Sequence, residues 1–381
     1  MLLLIFFGLI TAAYLGLVIS FLYGWKRLPD FDLKGLPAEN TFSIIIPYRN
    51  EAHNLPRLFN SLTSLNYPGR KFEIILVNDK STDHSSQLAE IFQHDFRELN
   101  IQLLENKRRS ASPKKDAILT AIEVSRFDYI ATTDADCILP ADWLHYFDEV
   151  IQLEKPELIA APVGFASSGT VQKRPYFQNF EEMDFMSLQA STIGAFGIDK
   201  AFMCNAANLC YRKETFLQKA GFTENSEIAS GDDVFLLQTF RRQGKKLFFI
   251  KSRKAGVLTN YQESLGSLIS QRIRWAAKTS SYTSILAKFT GVIVFLMNFS
   301  LIFFMVLTFL DLFSYRYLML VFLLKFNVDF ILIFKAAKFM NRESLMRHYF
   351  WCSIVYPFFT VYVAVASLSG GYDWKGRRFK K

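Results

Sequence analysis

The chain is poor in cysteine, histidine and proline: 381 residues hold 4 Cys, 5 His and 11 Pro. Cys137, Cys204, Cys210 and Cys352 include no Cys-x-x-Cys pair, and no histidine stands at zinc-ligand spacing. That excludes a zinc module and a disulfide-dense scaffold. Free thiols in a reducing compartment are expected; a Cys204–Cys210 bridge is the alternative, disfavoured by an expected cytosolic setting. Internal repeats, low-complexity tracts and a long basic run are also absent. The net charge of +9, from 44 Lys+Arg against 35 Asp+Glu, is therefore dispersed. With no nucleic-acid-binding signature, this surplus suits an anionic membrane surface or a phosphate-bearing substrate rather than DNA or RNA.

Apolar residues are abundant, at 51% with 39 Phe, and they crowd the two ends. An uncharged run from Leu2 to Tyr23 is long enough to cross a bilayer and is followed by Trp25, Lys26 and Arg27. Basic residues after the run, without a small-residue cleavage site, point to an anchor and not to a cleaved signal peptide. The positive-inside rule puts its C-terminal side in the cytoplasm. Residues 1–24 are assigned to the anchor and 25–40, with Pro29, Gly35 and Pro37, to a linker. Membrane helices are expected within 285–370, in apolar stretches at 285–313, 317–334 and 349–368, followed by a basic tail at 371–381. Three full spans would strand Lys375, Arg377, Arg378, Lys380 and Lys381 outside, so one stretch is expected to be re-entrant or interfacial. The last, with Pro357, is the candidate. Lys325 and Asp329, one helical turn apart, are expected to pair, as charges at membrane depth do.

Between the ends the pattern is α/β. Phe42–Ile46, Phe72–Val77, Ile101–Leu104 and Phe127–Ala131 read as buried strands, with helices between them at 51–65, 81–96 and 114–124. Strands alternating with helices imply crossovers and a mainly parallel sheet. Ligands of such sheets sit beyond the carboxyl ends of the strands, where Asn78-Asp79 and Asp134-Ala135-Asp136 stand. Further strands are expected at 158–163 and 246–250, and a helix at 177–188. Residues 264–284 place Leu265, Leu268, Ile269, Ile273 and Trp275 at helical spacing among Arg272, Arg274 and Lys278, as in a helix lying on a membrane. Asp134 and Asp136 can approach one divalent cation, because Mg²⁺ takes oxygen ligands from one or two carboxylates plus phosphates. Alone, such a pair is ordinarily a solvated turn.

Its neighbours give it meaning. Ser43-Ile44-Ile45-Ile46-Pro47-Tyr48-Arg49-Asn50-Glu51, Val77-Asn78-Asp79-Lys80-Ser81-Thr82-Asp83, Thr133-Asp134-Ala135-Asp136, Gly231-Asp232-Asp233 and Gln271-Arg272-Ile273-Arg274-Trp275 follow in order. Together they resemble the membrane-associated family 2 glycosyltransferases, the group of ceramide glucosyltransferases and cellulose and hyaluronan synthases, over residues 41–280. Asn78 and Asp232 depart from that family's usual acids. Trp374-Lys375-Gly376-Arg377 is similar to a tail in some lipid-directed members.

The resemblance implies a nucleotide-diphospho-sugar transferase fold of GT-A type, a Rossmann-like mainly parallel sheet, as a catalytic domain over 41–262. An interface helix at 263–284 carries the Gln-x-x-Arg-Trp segment. It also implies an inverting glycosyltransferase with a sugar-nucleotide donor, UDP-linked by expectation, and Mg²⁺ or Mn²⁺ on Asp134 and Asp136. Asp233 is the implied base. Asp79 would hold the nucleoside, and Pro47, Tyr48, Arg49 and Glu51 the base pocket. Lys114 would contact the nucleotide, and Gln271, Arg274 and Trp275 would close over diphosphate and acceptor. The acceptor is expected to be a membrane lipid or lipid-linked glycan at the cytoplasmic face of the cell membrane, in a multi-pass protein. A processive polysaccharide synthase and an inactive sugar-nucleotide-binding protein are the alternatives. The small membrane part speaks against the first, and the intact acids against the second.

Overall fold

The computed structural model describes residues 2–166, 174–218, 231–369, 372–374 and 377–379. Helix α1 (Leu2–Arg27) leads by an extended segment into β1 (Phe42–Tyr48). Then come α2 (Leu55–Thr63), β2 (Phe72–Asn78), α3 (Ser85–Asp95), β3 (Ile101–Glu105), α4 (Pro113–Val124) and β4 (Tyr129–Thr132). The irregular middle holds α5 (Trp143–Glu154), β5 (Leu158–Ala160), β6 (Val163–Phe165), α6 (Tyr176–Gly197), β7 (Leu209–Arg212), α7 (Lys213–Gln218), α8 (Asp232–Arg242), β8 (Leu247–Phe249) and β9 (Val257–Thr259).

The described strands form a seven-stranded sheet in the order β3-β2-β1-β4-β7-β5-β8, with a small β6-β9 pair beside it. β1 pairs in parallel with β2 and β4, and β2 with β3, while β7 runs antiparallel to β4 and β5. Apolar side chains on both faces of β1 and β2 are buried, as befits parallel strands covered by helices on each side. Pro47 sits in β1 without cost. Ile45 O still accepts from Thr133 N, but pairing with β4 ends there, so the N–H that Pro47 lacks would face no partner strand.

Two helices differ from the sequence expectation at their starts. α2 begins at Leu55, because residues 51–54 close a turn in which Asn54 and Leu55 donate to Glu51 O. α3 begins at Ser85, where the Asp83 carboxylate accepts from Ser85 N at 3.0 Å. Asp79 therefore caps no helix.

The C-terminal part holds α9 (Leu265–Ala277), α10 (Ile285–Phe309), α11 (Tyr315–Phe339), α12 (Tyr349–Ser369) and the hairpin β10 (Tyr372–Trp374) with β11 (Arg377–Phe379). α9 stops at Ala277, short of the expected 284, and a 3-10 turn at Thr279–Ser281 leads into α10. Helices over Leu2–Arg27, Ile285–Phe309, Tyr315–Phe339 and Glu343–Leu368 are long and apolar enough to cross a membrane. α1 lies against α6 by way of glycines: a Cβ at Gly24 would stand 1.9 Å from Gly194 O, and one at Gly194 would stand 2.4 Å from Phe21 O. Small residues let the two backbones touch. Lys325 and Asp329 pair at 2.5 Å as the sequence suggests, and Tyr14 of α1 donates to the same carboxylate at 2.7 Å. Glu182 of α6 binds Arg342, just beyond α11, at 3.1 Å, tying the catalytic domain to the apolar helices. α12 packs along α9 and α10, and β10 returns to touch α9. Lys375, Gly376, Lys380 and Lys381 of the expected basic tail lie outside the described residues.

Candidate active site

Strand order reverses between β1 and β4, and a parallel sheet opens a crevice at such a point. A cavity of ≈ 1660 Å³ lies there, lined by residues from the loops after β1, β2 and β4, from α4 and α8, and from α9. Every site residue expected from the sequence reaches its wall: Pro47, Tyr48, Arg49, Glu51, Asp79, Lys114, Asp134, Asp136, Asp233, Gln271, Arg274 and Trp275.

The β1 and β2 loops are laced together. Asp79 N donates to Tyr48 O at 2.9 Å, and Arg49 Nη1 donates to Asp79 O at 2.7 Å and to Lys80 O. Glu51 is buried, takes Asn54 Nδ2 at 2.7 Å on its carboxylate, and donates its own N–H to Ser85 Oγ at 2.8 Å. It is a loop acid and not the first-turn helix acid that its sequence position suggests. Asp79, only 5% exposed, accepts from Asn106 Nδ2 at 2.7 Å and faces Arg108 at 3.6 Å. Asn106 and Arg108 escaped the sequence reading; the polar run after β3 was their only signal.

Asp134 and Asp136 follow β4 directly. Lys114, from the first turn of α4, reaches Asp134 Oδ1 at 2.6 Å and Asp232 at 3.4 Å, so one ammonium joins two acidic motifs. Burial pushes the Lys114 pKa down, but Asp134 and Asp232 outweigh it and hold it above the ordinary lysine value. Asp136 Oδ2 accepts from Thr259 Oγ1 of β9 at 3.1 Å. Asp134, which already binds an ammonium, and Asp136, two residues on, are hard carboxylates of the kind that suits Mg²⁺ or Mn²⁺, whose other ligands would be diphosphate and water. Among the described residues no group of three His, Cys, Asp or Glu gathers as a self-sufficient cation cage.

Gly231 enters α8 with φ 87°, and a Cβ there would meet the Phe235 ring at 3.0 Å. Asp232 and Asp233 then occupy the first turn, where the helix dipole favours acids. Asp233 accepts from Ala206 N at 3.1 Å and stands 4.0 Å from Lys278 Nζ. Burial pulls the Lys278 pKa down despite Asp233. Burial also pulls Lys115 down to about 8, against Asp232 and with Lys278. Lys278 is a further residue that sequence reasoning did not single out for the site; it reads as one more charge on a surface helix.

On α9, Arg272 Nε binds Asp184 of α6 at 2.6 Å, and its guanidinium lies 4.4 Å over the Trp275 ring. Arg272 also donates to Gln271 Oε1. Asn208 is fully buried and structural: it takes Trp143 Nε1 at 2.8 Å and donates to Pro162 O and Ala255 O. Asn205 stays on the cavity wall, its Oδ1 accepting from Ala207 N. All four cysteines are free, so Cys204 and Cys210 are unbridged.

Residues 43–212 match glycosyl transferase family 2, and residues 129–365 match glycosyl transferase family group 2. The glycosyltransferase AglE of Haloferax volcanii is 28% identical over 192 residues, 50% of this chain and 58% of that protein. The beta-monoglucosyldiacylglycerol synthase of Nostoc sp. is 22% identical over 240 residues, 61% of this chain and 48% of that protein. The chain thus spans about half the length of these curated relatives. The mannosyltransferase PcManGT from Pyrobaculum calidifontis, solved with GDP-Man and Mn²⁺, superposes with a TM-score of 0.61 at 15% identity, over 96% of this chain and 99% of that one. The fold is of GT-A type, and in this chain long apolar helices stand at both ends of it. The match over residues 129–365 spans both the acidic motifs and the helices that follow them, and on that ground the chain belongs to glycosyl transferase family group 2.

Proposed function

We propose that this protein transfers a single sugar, with inversion, from a nucleotide-diphospho-sugar to a hydroxyl of a membrane lipid or lipid-linked glycan. The observation that carries this reading is one cavity. Its wall takes in Asp79, Asp134, Asp136, Asp233 and Trp275, and it continues between the apolar helices as far as Tyr14 and Tyr356. A relative named for monoglucosyldiacylglycerol supports a lipid acceptor, and the GDP-Man and Mn²⁺ held by PcManGT support a sugar nucleotide and a divalent cation.

In this reading Asp134 and Asp136 hold Mg²⁺ or Mn²⁺, which when bound neutralises the departing diphosphate. Asp233 takes the proton of the attacking hydroxyl, within the range of effect expected of a placed carboxylate. Asp79 holds the nucleoside, and Pro47, Tyr48, Arg49 and Glu51 line the base pocket. Lys114 and Arg274 face the diphosphate; the planar guanidinium of arginine suits bidentate contact with phosphate oxygens. Gln271 and Trp275 flank the acceptor. α1, α10 and α11 enter the bilayer from the cytoplasmic face. α12 lies in the interface beside α9, which keeps the basic tail on the catalytic side. A UDP-linked donor is the first to test.

The experiment is purified protein in lipid nanodiscs with a panel of UDP- and GDP-sugars, with Mn²⁺, Mg²⁺ or EDTA. Nucleoside diphosphate release and a glycosylated lipid seen by mass spectrometry are expected, both lost with EDTA. Donor turnover that ignores EDTA would remove the cation from the scheme.

A further inference from the structure

The inner arm of the cavity runs among the apolar helices. Helices α1, α6, α10, α11 and α12 wall it, and α12 lines it along its whole length, at Tyr349, Cys352, Tyr356, Phe359, Val363 and Ser367. Those positions recur every three or four residues, so one face of α12 is given over to this surface. The opposite face of α12 is apolar and exposed at Trp351, Val355, Phe358, Tyr362 and Val365, as a helix in contact with lipid would be.

Arg272 stands where this arm joins the acidic end. It occupies a position that the Gln-x-x-Arg-Trp pattern leaves open. Its residue exposure is 6%, Nε is spent on Asp184, and one terminal nitrogen on Gln271. The remaining nitrogen, Nη2, is enclosed and has no hydrogen-bond partner among the described residues. A buried guanidinium N–H without an acceptor is costly, so an oxygen brought to it gains affinity.

Charge decides which oxygen. Of the cations on these helices, Arg272 is matched by Asp184 and Lys325 by Asp329, so both are already neutralised, while Lys288, in the first turn of α10, also lines the cavity but is exposed to solvent. A phosphate would have to compete with a carboxylate for either one, whereas a carbonyl adds a neutral acceptor to Nη2. Resting on the lipid-acceptor reading above, we infer that the arm is the acceptor subsite. Its ligand is a neutral lipid with a free hydroxyl and an ester or amide carbonyl, and Arg272 holds that carbonyl. The hydroxyl oxygen then bonds to the anomeric carbon and its proton passes to Asp233. The bond from that carbon to the diphosphate oxygen breaks, and its electron pair leaves with the nucleoside diphosphate.

The test measures KM for dioleoylglycerol and for a short-chain ceramide in nanodiscs, beside the donor Kd, for wild type, Arg272→Gln and Ala364→Trp. Ala364 lines the arm from α12, about two helical turns beyond Tyr356, so its bulky variant probes the arm even where loss of Arg272 harms folding. Loss of a charge-assisted hydrogen bond predicts a rise of about tenfold or more in lipid KM, against less than about twofold in donor Kd. Undecaprenyl phosphate should be a poor acceptor. Unchanged lipid KM in both variants, or a preference for the lipid phosphate, overturns the inference while leaving the glycosyltransfer reading standing. Wild-type transfer to soluble glycans alone, with no lipid glycosylated, overturns both.

Discussion

At the scale of single residues the site is a charge lattice. Lys114 ties Asp134 to Asp232, and Lys278 faces Asp233, so the motifs at Asp134 and at Asp232-Asp233 each meet an ammonium. Replacing Asp233 with Asn should lower sugar transfer by about 10²–10⁴-fold, the range of a general base, with donor Kd nearly unchanged. Asp136→Ala should lose comparable activity and the response of turnover to Mn²⁺; full turnover in either variant would sink the assigned roles. Lys115 supplies a pH test. Burial brings its folded pKa to about 8, below the unfolded value near 10.5, so between those values the unfolded chain binds more protons. Its contribution to stability is therefore unfavourable below about pH 8, and stability should rise from pH 8 toward 10.5. Asp232, Asp233, Asp116 and Lys278 surround it. Urea unfolding across that range should show the slope in wild type and lose it in Lys115→Met. The acids were legible because their neighbours in sequence form short signatures. Thr259, which holds Asp136 from 123 residues away, was not, because nothing local distinguishes a threonine that ends a strand.

At the scale of elements, the apolar helix α1 is part of the packing of the α/β domain. Gly24 and Gly194 let α1 and α6 meet backbone to backbone, and neither has room for a methyl. Gly194→Ala should cost about 1–3 kcal/mol by overpacking, and more if the helices cannot separate. Thermal unfolding in detergent, followed by tryptophan fluorescence, would show the loss; an unchanged midpoint would mean that α1 contributes little to the domain. The sequence marked α1 as an anchor by its apolar run, but a hydropathy pattern carries no sign of which glycine meets which. It also started α2 too early. Leu55 and Leu58 have the right spacing, yet the turn at Glu51 and the loop contact with Ser85 claim the preceding residues.

At the scale of the whole molecule, the active-site cavity and the apolar helices form one body. Glu182 binds Arg342 and Asp184 binds Arg272, tying α6 to the C-terminal helices, and Tyr14 binds Asp329 between the apolar helices α1 and α11. If α12 stays in the interface, the C-terminus remains on the catalytic side. A C-terminal epitope tag should then be cut by protease in inverted membrane vesicles and protected in right-side-out ones. The opposite pattern would restore α12 as a full span. The sequence posed this question through the charges of the tail, and the contacts of α12 and β10 with α9 bear on it.

By itself the sequence determined β1 to β5 and β8 as strands, which runs are apolar enough to leave water, and which acids stand in short motifs; β6, β7 and β9 carried no such mark. Those are local properties, set by side-chain periodicity and by short motifs. Only the tertiary structure decided that those acids share a cavity, that Lys114 and Lys278 balance them, and that Arg272 stands between Trp275 and Asp184. Such contacts join residues tens to hundreds of positions apart, through a sheet whose crossovers bring the β1, β2 and β4 loops to one edge. Burial then sets the worth of each charge, and burial belongs to the folded whole.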